Sequence, residues 1–445
     1  MQSRRDHLHA YQFATGRLAS ALVSGDPGTG EAPMRRSGLG AAFGVMIAAL
    51  LVIVAVVYGL LKPVNTHSWE RTGALIVEKE TGTRYIYVNG QLHPTANYSS
   101  ALLALGGTPS VQDVSRAHLA DVPRGTPLGI PGAPDDIAQP SALLTGAWTD
   151  CLHPGSGPGE VLDFDARSAR PMPGNARVLM SGPDGTPYVL WQGTKYPISG
   201  RSALIAIGLD TKEPVKAPSA WLDALPTGTA IAPAAIPGAG TGSRTVAGGA
   251  AQTGQVFRTA VSGDVHYYVL KSDGMAPLTA TEAALIAAAP GGSRPRQVSP
   301  ADIAAVQASA DHSLLHRIPD LLDGTDGTAD GGAALCLLQS VHGSRLSTSV
   351  VRETGRAAAA GSAVLVPPEH AVLATPPKSP SDPNTPDPYL ITDQGLKYQL
   401  AGQSAQALGF GSVQPRVLPQ STLDQITNGP RLSRAQAAQA VPGAN

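Results

Sequence analysis

The chain has 445 residues, room for two to four ordinary domains, and its Gly (50) and Pro (39) together stay below the share that marks disordered low-complexity chains. Charged residues make up only 15% and the net charge is −1, so nothing in the composition advertises a nucleic-acid-binding surface. With aromatics at 4%, cores have to be built from Ala, Val, Leu and Ile, which favours several small cores over one large one.

The first segment, 1–37, opens with "RRDHLHAYQFATGRLASALVSGDP". Leu8, Tyr11, Thr15, Leu18 and Leu22 step by threes and fours beside Arg4, Arg5 and Arg17, the pattern of an amphipathic helix. So narrow a stripe suits packing on another helix; lying on anionic lipid is the competing use. "GDPGTGEA", 25–32, has the glycine half of a phosphate-binding loop. Glu31 and Ala32 stand where that loop needs Lys and Ser/Thr, and a carboxylate there repels phosphate, so the stretch reads as a linker.

"GLGAAFGVMIAALLVIVAVVYGLL", 38–61, carries no charge. As a helix it reaches about 36 Å, enough to cross a hydrocarbon layer of about 30 Å. A signal peptide has a shorter apolar run nearer the start of the chain. Arg35 and Arg36 abut the near end of the run, and the far end offers Lys62 and then nothing basic until Arg71. The positive-inside rule therefore places 1–37 in the cytoplasm and the remaining ~380 residues outside.

Beyond the span one unit is written four times: "YIYVNGQLHPTANYSSALLALG" (85–106), "YVLWQGTKYPISGRSALIAIG" (188–208), "YVLKSDGMAPLTATEAALIAAA" (268–289) and "YLITDQGLKYQLAGQSAQALG" (389–409). Gln399 replaces the Pro94 and Pro197 of the first two copies. A second block follows each: Leu119, Val122, Gly125, Leu128; Leu222, Leu225, Gly228, Ile231; Leu423, Ile426, Gly429, Leu432. The third is worn, with Ile303 and Val306 followed by Ser309. The turn glycines Gly90, Gly193, Gly274 and Gly395 step by about 103, 81 and 121 residues, and the second blocks keep the same phase. Each unit reads as a β-hairpin, a short helix ending at Gly, a turn, a second short helix and a strand.

The resulting division is repeats at 70–137, 177–242, 254–315 and 388–436, intervening segments at 138–176 and 316–387, and a tail at 437–445. "PPKSPSDPNTPDP", 376–388, reads as a Pro-rich linker before the last repeat. Cys151 and Cys336 fall one in each intervening segment. Exported compartments permit disulfides, and a bridge here brings the two segments together as a central domain; two independent buried thiols are the alternative. The expected fold class is α+β: one N-terminal transmembrane helix, then an elongated ectodomain of four diverged repeats around a β-rich core.

These features resemble the EccB family, the single-span membrane subunit of the actinobacterial type VII (ESX) secretion system. The opening helix with "PMRR" and the span, "TGTRYIYVNGQLHPTANYSSALLALG", the four repeats and the Cys pair carry the resemblance over essentially the whole chain. It implies a channel subunit that assembles with EccC, EccD and EccE, associates through its ectodomains with further copies, and meets the mycosin protease. The family also carries an ATPase attribution, and ATP enters only on that ground.

No enzyme motif accompanies it: H-E-x-x-H and G-x-S-x-G are both missing from the sequence. His312 and His316, four apart, suggest one helix face without a third metal ligand. Asp323, Asp326 and Asp330 break the spacing of a Ca²⁺ loop and read as a flexible turn. The expectation is a structural subunit with no catalytic, cofactor or metal residues. An ATPase subunit and a wall-binding ectodomain are the alternatives.

Overall fold

The computed structural model describes residues 4–25, 34–61, 69–71, 73–152, 159–328, 332–343, 345–359, 361–378 and 386–442. Two compact units emerge, Met1–Glu70 and Arg71–Asn445. The first consists of two helices, Arg4–Ser24 and Met34–Leu61. The second is mixed α and β.

All four repeats fold as modules of one plan, and each gains two strands that the repeated motifs do not announce. In the first, Ala74–Glu78 pairs antiparallel with Arg84–Val88, which turns into Gln91–Pro94. The helix Tyr98–Leu105 follows, N-capped by the Asn97 side chain and closed by Gly106 in the left-handed conformation. The chain then returns as Ser110–Val114, parallel to Ala74–Glu78, and a short helix, Arg116–Leu119, sends it back beside the hairpin at Leu92 and Thr95. The other modules begin at Ala176–Ser181, Val256–Val261 and Ala371–Thr375.

The fourth module therefore starts at Ala371, inside the stretch assigned above to the central segment 316–387. Ala371–Thr375 pairs with Tyr389–Thr392, so the Pro-rich 376–388 is a loop within that module. Of that loop, 379–385 lie outside the described residues. The tail at 437–445 is also engaged: Ala440 bridges Leu128, and Val441 N–H donates to the Pro127 carbonyl at 2.9 Å.

The wear in the third repeat has a steric reason. Gly125, Gly228 and Gly429 lie under aromatic rings: a Cβ on each would stand 2.2 Å from His93, 2.2 Å from Tyr196 and 2.3 Å from Tyr398. In the third module Ser309 takes the glycine position, donating its N–H to Met275 as Gly228 does to Lys195. The residue after Met275, where the others carry a ring, is Ala276. Ring and glycine have been exchanged together for Ala and Ser, so each pair fits. Gly228→Ala alone should cost about 1–3 kcal/mol of overpacking. The Gly228→Ala/Tyr196→Ala double variant should lose less than the two single losses summed, read from thermal melts.

Two other departures resolve the same way. The Gln399 carbonyl accepts from Leu432 N–H at 2.8 Å, as the Pro94 carbonyl does from Leu128 at 2.8 Å. Only a carbonyl is used there, and Gln supplies it as well as Pro. Gly274 also closes its hairpin turn, its N–H donating to the Lys271 carbonyl at 3.3 Å, but not in the conformation of Gly90, Gly193 and Gly395, whose φ values lie between 74° and 76°. Its φ is 155°, and a Cβ on it would meet the Gln307 carbonyl oxygen at 2.2 Å, so it is needed for a close backbone approach.

Modules pack as first with fourth and second with third. Leu102 and Leu103 share a buried cluster with Tyr398, Leu400, Leu408 and Phe410. Ile198, Ala203 and Ile207 share another with Leu285, Ile318 and Leu321. Between the pairs lies a six-stranded sheet in the order Ala363–Leu365, Glu160–Asp163, Trp148–Leu152, Ala334–His342, Arg345–Glu353, Arg170–Pro171. Both intervening segments contribute to it. The "ALLTGAW" run becomes a strand only at Trp148; Pro140–Ala142 is a single 3₁₀ turn.

Candidate functional site

The span candidate is Gly38–Tyr58, 21 residues of mean hydropathy 2.8, exposed along its length. The whole helix, Met34–Leu61, spans about 42 Å at 1.5 Å per residue. Arg35 and Arg36 fall in its first turn, with their side chains outside the described residues. On the preceding helix Leu8, Tyr11, Leu18 and Leu22 are 58–83% exposed. Phe13, which the 3–4 spacing passed over, is 68% exposed, with the Arg17 guanidinium 5.7 Å from its ring centroid. The "GDPGTGEA" segment lies outside the described residues from Asp26 onward.

The central sheet joins Cys151 to Cys336 as directly opposed residues on neighbouring antiparallel strands, and both sulfurs are fully buried. Glu353 lies beside the bridge, fully buried, and accepts hydrogen bonds from Thr149 Oγ1 at 2.5 Å and Ser168 Oγ at 2.6 Å. Together with the two sulfurs it is a compact group of potential metal ligands, but the disulfide consumes both thiols. Asp163 lies nearby, and its carboxyl is pushed up to about 6, chiefly by burial.

The opposite face of the sheet receives the modules. Leu152, Leu335 and Leu337 pack on Val178, Met180 and Trp221 of the second, while Trp148, Leu162 and Phe164 pack on Val372, Ile391 and Leu423 of the fourth. Equivalent short helices, Ser219–Asp223 and Gln420–Asp424, both reach Asp150. Trp221 Nε1 donates to the Asp150 backbone carbonyl at 3.0 Å, and Gln425 Nε2 donates to its carboxylate at 3.2 Å. A buried lysine holds each helix end: Lys195 donates to the Leu222 carbonyl at 2.5 Å and Lys397 donates to the Leu423 carbonyl.

The remaining sequence candidates disperse. His312 and His316 flank a 3₁₀ turn, Ser313–Leu315, and do not share an α-helical face. Thr325–Asp326 forms a short strand parallel to Ala176–Ser181, with Asp326 bonded to Thr328 and paired with Lys212 at 2.8 Å, where a flexible turn was expected. Asp330 lies outside the described residues.

An apolar helix long enough to cross a membrane, followed by an α+β unit built from four modules and a disulfide-bearing sheet, defines a membrane-anchored, repeat-built protein. The family described as "Type VII secretion system ESX-1, transport TM domain B" matches residues 1–443, and the chain belongs to this EccB family. The protein named "ESX-3 secretion system ATPase EccB3" of Mycolicibacterium smegmatis is 26% identical over 475 residues, covering 97% of this chain and 90% of that one. "ESX-5 secretion system ATPase EccB5" of Mycobacterium tuberculosis is 25% identical over 478 residues, covering 98% and 93%. A chain in the structure of an intact ESX-5 inner membrane complex shares the fold, with a TM-score of 0.58 and 23% identity, covering 100% of this chain and 97% of that one. The EccB3 dimer from the ESX-3 core complex matches with a TM-score of 0.54 and 24% identity, over 82% and 100%.

Proposed function

We propose that the chain is a structural membrane component of a type VII secretion channel, with 1–37 in the cytoplasm and the four-module unit outside. The carrying observation is that one family match runs through the leading helix, the span and all four modules. The exposed stripe Leu8, Tyr11, Leu18, Leu22 is the docking face for a neighbouring cytoplasmic subunit, since an apolar row this exposed is stabilised only by covering it. EccC, EccD and EccE are the subunits it meets, further copies of the chain associate through the modules, and the mycosin protease is approached outside. Relatives carry the word ATPase in their names. Glu31 and Ala32 in place of the phosphate-binding Lys and hydroxyl favour the structural role.

Deleting residues 4–24 should abolish co-purification of the other membrane subunits while the shortened chain still fractionates with membranes. Co-purification that survives the deletion would overturn the docking role. Thiol labelling of intact cells at a cysteine introduced in the fourth module should succeed; labelling only after lysis would reverse the orientation.

A further inference from the structure

Asp150 sits where the second module, the fourth module and the central sheet meet. Its neighbour strand supplies Glu160, on the same face of the sheet because Asp150 opposes Leu162 and Leu152 opposes Glu160. Beside them opens a cavity of about 510 Å³ lined by Glu160, Gln425, Pro218, Gln394, Thr427 and Ser362, with Pro218 from the second module and Gln394, Gln425 and Thr427 from the fourth. Asp150 is 5% exposed. Asp150 Oδ1, Glu160 Oε1 and Gln425 Oε1 are all buried oxygens with no hydrogen-bond partner among the described residues. Two acids, one buried and one half-buried, thus share one joint, and among the described residues the Gln425 amide is the one side-chain donor to either.

We propose that Asp150 and Glu160 form a proton-operated joint between the second and fourth modules. With a proton on the pair the joint is closed as seen here; with both carboxylates ionised they repel each other on their shared face and the modules part from the sheet. Burial and the charge of Asp150 raise the Glu160 carboxyl to about 7, and burial raises Asp150 to about 6. Both folded values lie above those of the unfolded chain. The closed state therefore binds more protons, and the stability this gives is complete below about pH 4 and lost as the pH rises through 6 to 7.

Among the described residues neither acid has an ion pair, and Arg352, on the same face of the sheet, stands two strands from Asp150. Lys195 and Lys397 are turned to helix carbonyls, Asp223 and Asp424 are exposed on those helices, and Arg416 lies over the Trp148 ring, bonded to the Gly146 carbonyl at 2.6 Å. Asp163 and Glu353 face the other side of the sheet with the disulfide. The joint lies within the ectodomain, so the inference stands apart from the secretion role.

The test places spin labels on the full-length, detergent-solubilised chain at Ser219→Cys and Ser421→Cys, exposed sites on the two short helices, and follows their separation from pH 5 to 8. A single short distance at pH 5 should broaden and lengthen with a midpoint between about 6 and about 7. Glu160→Gln should move the midpoint down toward about 6, and Glu160→Gln/Asp150→Asn, both near-isosteric, should abolish it. A separation indifferent to pH in the native sequence, or a transition that persists in the double variant, would overturn the proposal. So would closure at pH 8 that depends on added calcium chloride and is reversed by EDTA, because the two acids would then hold a cation in place of a proton.

Discussion

Replacing Cys151 and Cys336 together by Ala should lower the stability of the 71–445 unit by about 5 kcal/mol, the largest loss expected from any pair of substitutions here. The bridge closes a loop of 185 residues, and in the chain-entropy model a cross-link of that span removes about 5 kcal/mol of disorder from the unfolded state. The native side of the balance changes little. Both sulfurs are fully buried, and the strands they join are already paired over Trp148–Leu152 by backbone hydrogen bonds. The sheet should therefore keep its pairing while the unfolded chain gains freedom. Against a typical net stability of about 5–15 kcal/mol the loss is large, and it should appear as a lower melting temperature under non-reducing conditions. Ala is the better probe than Ser at Cys151, because a hydroxyl there could donate to Glu353 Oε2, 3.4 Å from the sulfur, and mask part of the cost. An unchanged melt, with two free thiols titrated in the native sequence, would show that no bridge forms.

The elements that could be read from the sequence are those with a local signature. The turn pairs Asn89–Gly90 and Gln192–Gly193 adopt positive φ at both residues, the requirement of a two-residue hairpin turn, and such sites select glycine visibly. The span is legible because lipid demands an unbroken apolar run. The first strand of each module carries no such punctuation. "AVLAT" at 371–375 looks like any buried strand, and only its pairing with Tyr389–Thr392 across the Pro-rich loop shows which module owns it. The compensating pair Ala276 and Ser309 was visible only as wear until the ring-on-glycine contact gave it a cause. Asp150 and Glu160 were passed over for a similar reason. Nothing in the residue types flags them, and their chemistry comes from strand register and from two helices distant in the chain. The stripe on the leading helix is the converse case, plain in the spacing and exposed on its helix.

The ion pair between Arg317 and Glu282 was equally unmarked, and removing its cation should be the second large loss. Glu282, in the first turn of Ala280–Ala288, is fully buried and accepts two hydrogen bonds from the Arg317 guanidinium, at 2.6 and 2.8 Å. The same guanidinium donates to the Ala232 carbonyl at 2.6 Å, so one side chain ties the third module to the end of the second. Arg317→Ala leaves a buried carboxylate without its counter-charge, a change that costs about 3–5 kcal/mol when the pair is well shielded. Arg317 is itself a quarter exposed, which lets water reach the site and puts the expectation near 3 kcal/mol. Arg317→Lys should recover only part of this, since an ammonium cannot make the two-pronged contact. Replacing both partners by apolar residues of similar volume, Arg317→Met with Glu282→Leu, should cost far less than Arg317→Ala alone, because no charge is then stranded. Hydrogen exchange should show the single variant's loss concentrated in Ala280–Ala288 and around Ala232. If the double variant proves no better than the single one, the penalty comes from lost packing, and the ion pair does not hold the second and third modules together.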